Sequence, residues 1–220
     1  MRTVIAGGHG QIALRLERLL AGRGDEAVGL IRNPAQADDV RAVGAEPVVL
    51  DLEAASVDEV ASVLRGADAA VFAAGAGPGS GAERKITVDR DAAVLLADAA
   101  ELAAVRRFLI VSSRGADADA TGPDEVYTAY RRAKGAADDA IRARSAGLDW
   151  TILRPGALTD AAGTGRVDLA PDTGRGSVPR EDVAAVLVAL LDAPGTAGLV
   201  LELVSGDITV DEAVQRAGVR

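Results

Sequence analysis

A tyrosine and a lysine spaced four residues apart, Tyr130 and Lys134, are the side chains best suited to acid–base chemistry. On a helix this spacing places both on one face, and an ammonium beside a phenol favours the ionised phenol. The pair could therefore hold and deliver a proton near neutral pH. Lys85 and Lys134 are the only lysines among 24 basic residues, which indicates that a compact charge is needed. The alternative is a surface tyrosine beside a solvated lysine.

Three further hydroxyl groups are weaker candidates for catalysis. Ser112 and Ser113 follow an apolar run, where a hydroxyl could polarise a substrate carbonyl while Tyr130 supplies the proton. We take Ser113 as the catalytic candidate, although serines at strand ends also serve as structural caps. Tyr127, with Arg131 four residues later, repeats the tyrosine–cation spacing one turn earlier.

A glycine-rich turn follows the first apolar run and reads GGHGQIA over residues 7–13, which fits both G-x-G-x-x-A and G-x-x-G-x-x-A. Without Cβ atoms a diphosphate can approach the backbone, and the N-terminus of the following helix offers free N–H groups and a positive dipole. No Lys-Ser/Thr pair follows the glycines, so a nucleoside-triphosphate loop is not supported. The alternative is a purely structural turn. The residues expected to hold a dinucleotide are Gly7, Gly8, His9, Gly10, Gln11 and Ile12, with His9 covering the phosphates.

The end of the second apolar run indicates which dinucleotide binds. Segment 30–34 reads LIRNP, with Arg32 near the position where an NAD site places an acidic residue for the ribose 2′-hydroxyl. A guanidinium suits a 2′-phosphate instead, so the sequence favours NADP(H). The alternative is that Arg32 is an ordinary solvated surface arginine.

Two more strand ends complete the expected nucleotide wall. Asp51, next to Leu52, carries a carboxylate that can accept from the adenine amino group. Ala73, Ala74 and Gly75 are small, so a ribose can lie against their backbone. Neither signal is specific alone, but together they surround one nucleotide.

The elements that must position these residues alternate along the chain. Apolar, β-branched runs predict strands at 3–5, 27–31, 47–50, 69–73, 108–111, 149–153 and 199–203. Helical patterns lie between them, including 89–104, 124–146 and 182–191. Capping boxes at 56–59 and 209–212 mark two further helix starts. This alternation predicts an α/β fold, with a doubly wound parallel sheet and helices on both faces.

The chain is expected to form one domain over residues 1–220, in which about 154–220 contribute the substrate region. Two glycine-rich segments, 75–81 and 161–176, follow predicted strands and are predicted to be loops. Ligands of open α/β sheets bind at that edge, so both segments are candidate substrate loops. The alternative for each is a solvated surface connection.

Composition excludes several classes of function. The 220 residues carry 24 Lys+Arg and 33 Asp+Glu, a net charge of −9, which argues against nucleic acid or an anionic membrane as partner. The chain has no cysteine and one histidine, which excludes disulfides and thiolate chemistry and makes a metal site unexpected. No apolar run is long enough to span a bilayer, and the apolar stretch at residues 3–6 is too short for a signal peptide. We therefore expect a cytoplasmic protein that acts on a small molecule.

Several segments together resemble the short-chain dehydrogenase/reductase superfamily, in its atypical NAD(P)-binding branch with NmrA-like and epimerase-like members. The similar segments are 7–12, 30–34, 51–52, 105–113, 147–159 and 178–184, with the Tyr130-x-x-x-Lys134 pair. The resemblance runs from Thr3 to about Leu191. It implies a Rossmann fold with NADP(H) across the first five strands and a small C-terminal substrate region. The further cofactor contacts that it implies are Val111, Ser112, Lys134, Arg154, Pro155 and Gly156.

The leading hypothesis is an NADPH-dependent oxidoreductase that transfers a hydride to a small carbonyl, quinone or related acceptor. Tyr130 would donate the proton while Lys134 assists it and binds the nicotinamide ribose. The alternative is a non-catalytic NADP(H)-binding redox sensor. A sugar-nucleotide epimerase ranks third, because such enzymes usually have a larger C-terminal domain. Members of the superfamily range from monomers to tetramers, so a homo-oligomer is compatible with the resemblance.

Overall fold

A nine-stranded, mostly parallel sheet forms the centre of the computed structural model, which describes residues 1–77 and 79–219. The strands are β1 (Arg2–Ala6), β2 (Glu26–Ile31), β3 (Glu46–Val49), β4 (Ala69–Phe72), β5 (Arg107–Val111), β6 (Asp149–Pro155), β7 (Ala157–Thr159), β8 (Arg166–Ala170), β9 (Ser177–Pro179), β10 (Leu199–Ser205) and β11 (Ile208–Thr209). The order in the sheet is β11-β8-β10-β6-β5-β4-β1-β2-β3, and β7 pairs separately with β9.

Eight α-helices of the described residues flank the strands. They are α1 (Gln11–Gly22), α2 (Ala37–Ala42), α3 (Val57–Leu64), α4 (Ala82–Arg84), α5 (Ala92–Leu102), α6 (Glu125–Arg142), α7 (Arg180–Leu191) and α8 (Val210–Gly218). Three of them, α3, α6 and α8, begin at a residue whose side chain caps the helix. Both halves of the capping box before α3 are formed, since Ser56 and Glu59 bond each other's backbone N–H. Thr209 caps α8 by accepting from the Glu212 N–H at 3.4 Å. Among the described helices none is long and apolar enough to cross a bilayer.

Two apolar layers cover the two faces of the sheet. One joins α1, α7 and α8 to the sheet through side chains such as Leu16, Leu187 and Val214. The other joins α3, α5 and α6 to the opposite face. Strands buried on both faces read as continuous apolar runs, which is why β1, β4 and β5 were predictable from sequence. The Rossmann-type fold expected from the alternation of elements is confirmed.

The strand order places the candidate residues along one edge. β1 pairs in parallel with β2 on one side and with β4 on the other. The strand order therefore reverses at β1, with β2 and β3 on one side of it and β4, β5 and β6 on the other. Residues that follow β1, β2, β4 and β5 meet at this switch point, where open α/β sheets bind ligands.

Two details of the prediction are wrong. Segment 161–176 is not simply a loop, because it contains β8, which pairs antiparallel with β10 and β11. In β8, buried Val167 and Leu169 alternate with exposed Arg166 and Asp168, which is the period of two that is typical of a strand. The helix predicted from residue 89 also starts earlier, because a π-helical segment (Lys85–Asp91) connects α4 to α5.

Candidate functional site

The glycine turn after β1 leaves its backbone open to a ligand. Gly7 has a φ of +80°, and a Cβ there would lie 2.6 Å from the Cα of Ala74. A Cβ on Gly8 would lie 2.6 Å from the Cα of Gly29. Gly10 caps α1 without any side-chain hydrogen bond, so the first N–H groups of α1 have no intramolecular side-chain acceptor. The turn therefore fits the diphosphate of a dinucleotide.

A first cavity of about 290 Å³ lies beside this turn. It includes many of the residues predicted to hold the nucleotide. These are Gly7, His9, Gly10, Arg32, Asp51, Leu52, Ala73, Ala74 and Gly75. The Asp51 carboxylate accepts the N–H of Glu53 at 3.0 Å, which fixes it at the cavity wall. The residues predicted to surround one nucleotide therefore line a common cavity.

Two guanidinium groups at the mouth of the first cavity share one carboxylate. Arg32 Nη1 and Arg84 Nη2 donate to Oε2 of Glu53 at 3.0 and 2.9 Å, and Thr87 Oγ1 donates to Oε1 at 2.7 Å. The pKa of Glu53 is lowered, mainly because its carboxylate accepts hydrogen bonds from Arg84 and Thr87. Two cations facing one anion leave a net positive charge at this position, which suits an additional phosphate.

His9 lies in the turn but is held by a neighbouring helix. Its Nε2 is 2.8 Å from Oδ2 of Asp39 on α2. The ring lines the first cavity, and its predicted role of covering the phosphates stays a prediction.

A second cavity of about 500 Å³ continues from the first and shares Ala73, Ala74 and Gly75 with it. Its lining is mainly apolar and small. The predicted residues that line it are Ile12, Val111, Ser112, Tyr130 and Lys134. The two cavities thus form one crevice along the carboxyl ends of the strands.

Lys134 lies almost fully buried at the base of the second cavity. Its Nζ is 3.3 Å from Oδ1 of Asp89 and donates to the carbonyl oxygen of Val111 at 3.1 Å. The carbonyl of Ala74 is a longer acceptor at 3.5 Å. Asp89 stands on the π-helical segment, so the tyrosine–lysine helix and this segment meet through a buried ion pair.

Tyr130 is flanked by an aromatic ring and a cation. The rings of Tyr127 and Tyr130 lie 6.3 Å apart with an interplanar angle of 29°. Lys85 Nζ lies 5.4 Å from the centroid of the Tyr130 ring and donates to the carbonyl oxygen of Gly77 at 2.9 Å. Both lysines of the chain therefore line the second cavity.

The serines after β5 have partners away from the tyrosine. Ser112 Oγ donates to Oδ2 of Asp138 at 2.9 Å, and Arg154 Nε donates to the same oxygen at 2.8 Å. Burial raises the pKa of Asp138, and the charge of Arg154 opposes that rise. Ser113 Oγ donates to the carbonyl oxygen of Arg114 at 3.3 Å.

Several predicted residues do not line either cavity. They are Gly8, Gln11, Ser113, Arg154, Pro155 and Gly156. Gly8 and Gln11 belong to the turn that frames the first cavity. The cofactor contacts and the catalytic roles of these residues, and of those that do line the cavities, stay predictions.

Sequence reasoning missed four charged residues of the crevice: Glu53, Arg84, Asp89 and, as a cavity residue, Lys85. Only Lys85 had a usable signal, since it is one of two lysines in a chain rich in arginine. The described residues hold no group of three or more acidic or histidine side chains placed to bind a metal ion.

Comparison with known proteins gives consistent matches over the whole chain. Residues 7–194 match a family model described as NAD(P)H-binding. The chain is 36% identical over 217 residues to YhfK of Bacillus subtilis (strain 168), named an uncharacterized sugar epimerase, covering 98% of this chain and 100% of that protein.

Two solved structures are similar over nearly their full length. A Bacillus halodurans protein, provisionally named an NAD-dependent epimerase/dehydratase, has a TM-score of 0.90 and 35% identity, covering 98% of this chain and 99% of that one. The oxidoreductase ylbE from Lactococcus lactis has a TM-score of 0.86 and 28% identity, covering 98% and 96%.

Proposed function

This chain belongs to the NAD(P)H-binding family, an atypical Rossmann-fold branch of the short-chain dehydrogenase/reductase superfamily, and from this premise we propose that it is an NADPH-dependent oxidoreductase. Its acceptor would be a small carbonyl, quinone or related compound. One observation carries the proposal: the crevice that begins at the glycine turn continues into a second cavity, and that cavity contains the Tyr130–Lys134 pair.

The charges at the first cavity support NADPH over NADH. Arg32 and Arg84 approach one carboxylate from two sides, so a 2′-phosphate could take hydrogen bonds from both guanidinium groups. Glu53 would then have to release part of its contact with them. NADH lacks this phosphate and would leave the Arg32–Glu53 and Arg84–Glu53 pairs as they are.

The proposed mechanism assigns separate tasks to the two members of the catalytic pair. When bound, NADPH supplies the hydride. Tyr130 donates its hydroxyl proton to the oxygen of the acceptor. Lys134, fixed by Asp89 and the Val111 carbonyl, places a positive charge one helical turn from Tyr130, and it would bind the ribose of the cofactor in place of its long contact with the Ala74 carbonyl. Ser113 is retained as a proposed second donor, which would have to leave the Arg114 carbonyl.

The lining of the second cavity favours an apolar acceptor. Most of the surface that lines this cavity is apolar, with Ala73, Ala76, Val111 and Leu158 in the wall. Polar side chains stand among them, including those of Ser80, Asp124 and Tyr127. The names of two relatives mention epimerase chemistry.

The test is oxidation of NADPH by the purified protein across a panel of quinones, flavins and aldehydes. We expect turnover with at least one acceptor and a lower Kd for NADPH than for NADH. NADPH that binds tightly but is oxidised by no acceptor would support the sensor instead. Failure to bind either nucleotide would contradict both functions.

A further inference from the structure

Lys85 lines the second cavity without forming an ion pair to any described carboxylate. Its ammonium donates to the Gly77 carbonyl and lies over the Tyr130 ring, as described above, and no carboxylate of the described residues forms an ion pair with it. Only 9% of the residue is exposed. The ammonium therefore faces the cavity with a carbonyl oxygen and an aromatic ring as its partners, and no anion is paired with it.

The two carboxylates that line the same cavity are engaged elsewhere. Asp89 is paired with Lys134, and Asp124 accepts the Tyr127 N–H at 2.9 Å as the cap of α6. A desolvated ammonium costs free energy, which one carbonyl and one aromatic face offset only in part. An ammonium has three N–H donors, and these two contacts use two of them. The remaining donor and the uncompensated charge indicate an anionic ligand.

The wall next to Lys85 is aromatic and apolar. Tyr127 and Tyr130 are stacked, and Tyr127, Val126 and Leu158 are 54%, 44% and 38% exposed. Large apolar side chains that stay exposed around one cavity mark a surface for a ligand. Two aromatic rings inclined by 29° to each other provide π faces against which a planar conjugated molecule can pack.

We propose that the second cavity takes a planar, conjugated acceptor that carries a carboxylate, and that Lys85 binds this carboxylate. The inference rests on the proposed function, since the molecule bound is the one reduced. It assigns Lys85 to substrate specificity, whereas Tyr130 transfers the proton. A charge-assisted contact at this partly desolvated position should contribute at least about tenfold in affinity.

The test measures binding and needs no turnover. The probes 2-naphthoate and 2-naphthamide share one planar ring system and differ in charge, and each is titrated calorimetrically into protein saturated with NADP⁺. We expect 2-naphthoate to bind about tenfold more tightly than 2-naphthamide. Lys85→Met should remove this difference while 2-naphthamide binds as before, and Lys85→Arg should retain it.

The affinity for NADP⁺ distinguishes the two anions that Lys85 could meet. An unchanged Kd for NADP⁺ in Lys85→Met supports a substrate carboxylate, whereas a weaker one assigns Lys85 to a cofactor phosphate and overturns the proposal. The proposal is also overturned if the unmodified protein binds both probes equally well or binds neither. This outcome does not depend on whether Lys85→Met folds. None of these measurements involves hydride transfer. A negative result would therefore contradict the role of Lys85 without contradicting the proposed reduction of an acceptor by NADPH.

Discussion

The ammonium of Lys134 and the carboxylate of Asp89 approach to 3.3 Å, with side chains only 4% and 1% exposed. The second oxygen of Asp89 accepts the N–H of Ala76 at 3.3 Å. The pair therefore connects α6, the π-helical segment and the loop after β4. The position of Lys134 in the crevice depends on a residue that the tyrosine–lysine pattern does not include.

Removing the carboxylate of this pair should destabilise the protein strongly. Asp89→Asn keeps the shape but leaves the Lys134 ammonium buried and unpaired, and we expect a loss of about 3 kcal/mol in the free energy of unfolding measured with urea. Asp91→Asn, which breaks a half-exposed pair with Arg90, is the control and should cost less than about 1 kcal/mol. Adding Lys134→Met to Asp89→Asn should restore part of the loss. Equal effects of the two asparagine variants would contradict the argument.

The close approach at the glycine turn can be separated from backbone strain. Gly7 and Gly24 have similar φ angles of +80° and +84°, but only a Cβ on Gly7 would meet other atoms within 4 Å. Gly24→Ala should therefore cost about 1 kcal/mol of stability and leave the Kd for NADPH unchanged. Gly7→Ala should cost more and raise that Kd at least about tenfold, because the turn must move away from Ala74. Similar Kd values for both variants would show that the turn does not hold the diphosphate.

The parts of the site that follow from strand order were predictable from sequence. Gly7, Arg32, Asp51 and Ala73 each follow a strand of the parallel sheet, and the carboxyl ends of such strands share one edge. Tyr130 and Lys134 followed from helical spacing. No local sequence pattern indicates that Arg32 and Arg84 donate to one carboxylate, or that Lys134 and Asp89 form a buried ion pair. Such contacts between different elements depend on the side-chain conformations adopted after packing.

The segment around Arg154 shows this limit most clearly. The resemblance implies that Arg154 contacts the cofactor, which stays a prediction, and nothing in the sequence indicated that its guanidinium donates to the buried carboxylate of Asp138 on α6. The pairing joins residues 16 positions apart on a strand and a helix. Short β8 was missed for a related reason, because its alternation covers only five residues.

Glu53 should limit the affinity for NADPH. It neutralises part of the charge of Arg32 and Arg84, and its own charge repels a 2′-phosphate. We expect Glu53→Gln to lower the Kd for NADPH about tenfold, corresponding to about 1.4 kcal/mol, and to change that for NADH little. Exposed Glu46→Gln, at the start of β3, is the control for net charge. Arg32→Ala should instead raise the Kd for NADPH. If either variant changed the Kd values for NADPH and NADH equally, that would contradict a 2′-phosphate site.

Loss of the Tyr130 hydroxyl should slow turnover without affecting cofactor binding. Tyr130→Phe keeps the ring against Tyr127 and Lys85 but has no proton to donate, so kcat with a good acceptor should fall about 100-fold or more. The Kd for NADPH should stay unchanged. Ser145→Ala removes a hydroxyl that bonds Trp150, far from the crevice, and should leave kcat unaffected. Full activity of Tyr130→Phe would exclude it as the acid, and Ser113→Ala in the same assay tests the second donor.

Glu17 should make stability depend on pH. Its side chain is buried beneath the glycine turn, neither oxygen has a hydrogen-bond partner, and burial raises its pKa from 4.5 to about 8. Between these values the folded chain keeps a proton that the unfolded chain has lost, so the free energy of unfolding falls by about 1.4 kcal/mol for each pH unit. Gln is neutral throughout and lacks this fall. Urea unfolding should therefore show that the stability of Glu17→Gln relative to the unmodified protein rises by about 3 kcal/mol from about pH 5 to about pH 7.5. For the control Glu83→Gln, at an exposed residue, the difference in the free energy of unfolding from the unmodified protein should stay constant over this pH range. A constant difference for Glu17→Gln would mean that the buried carboxyl is ionised in the folded protein.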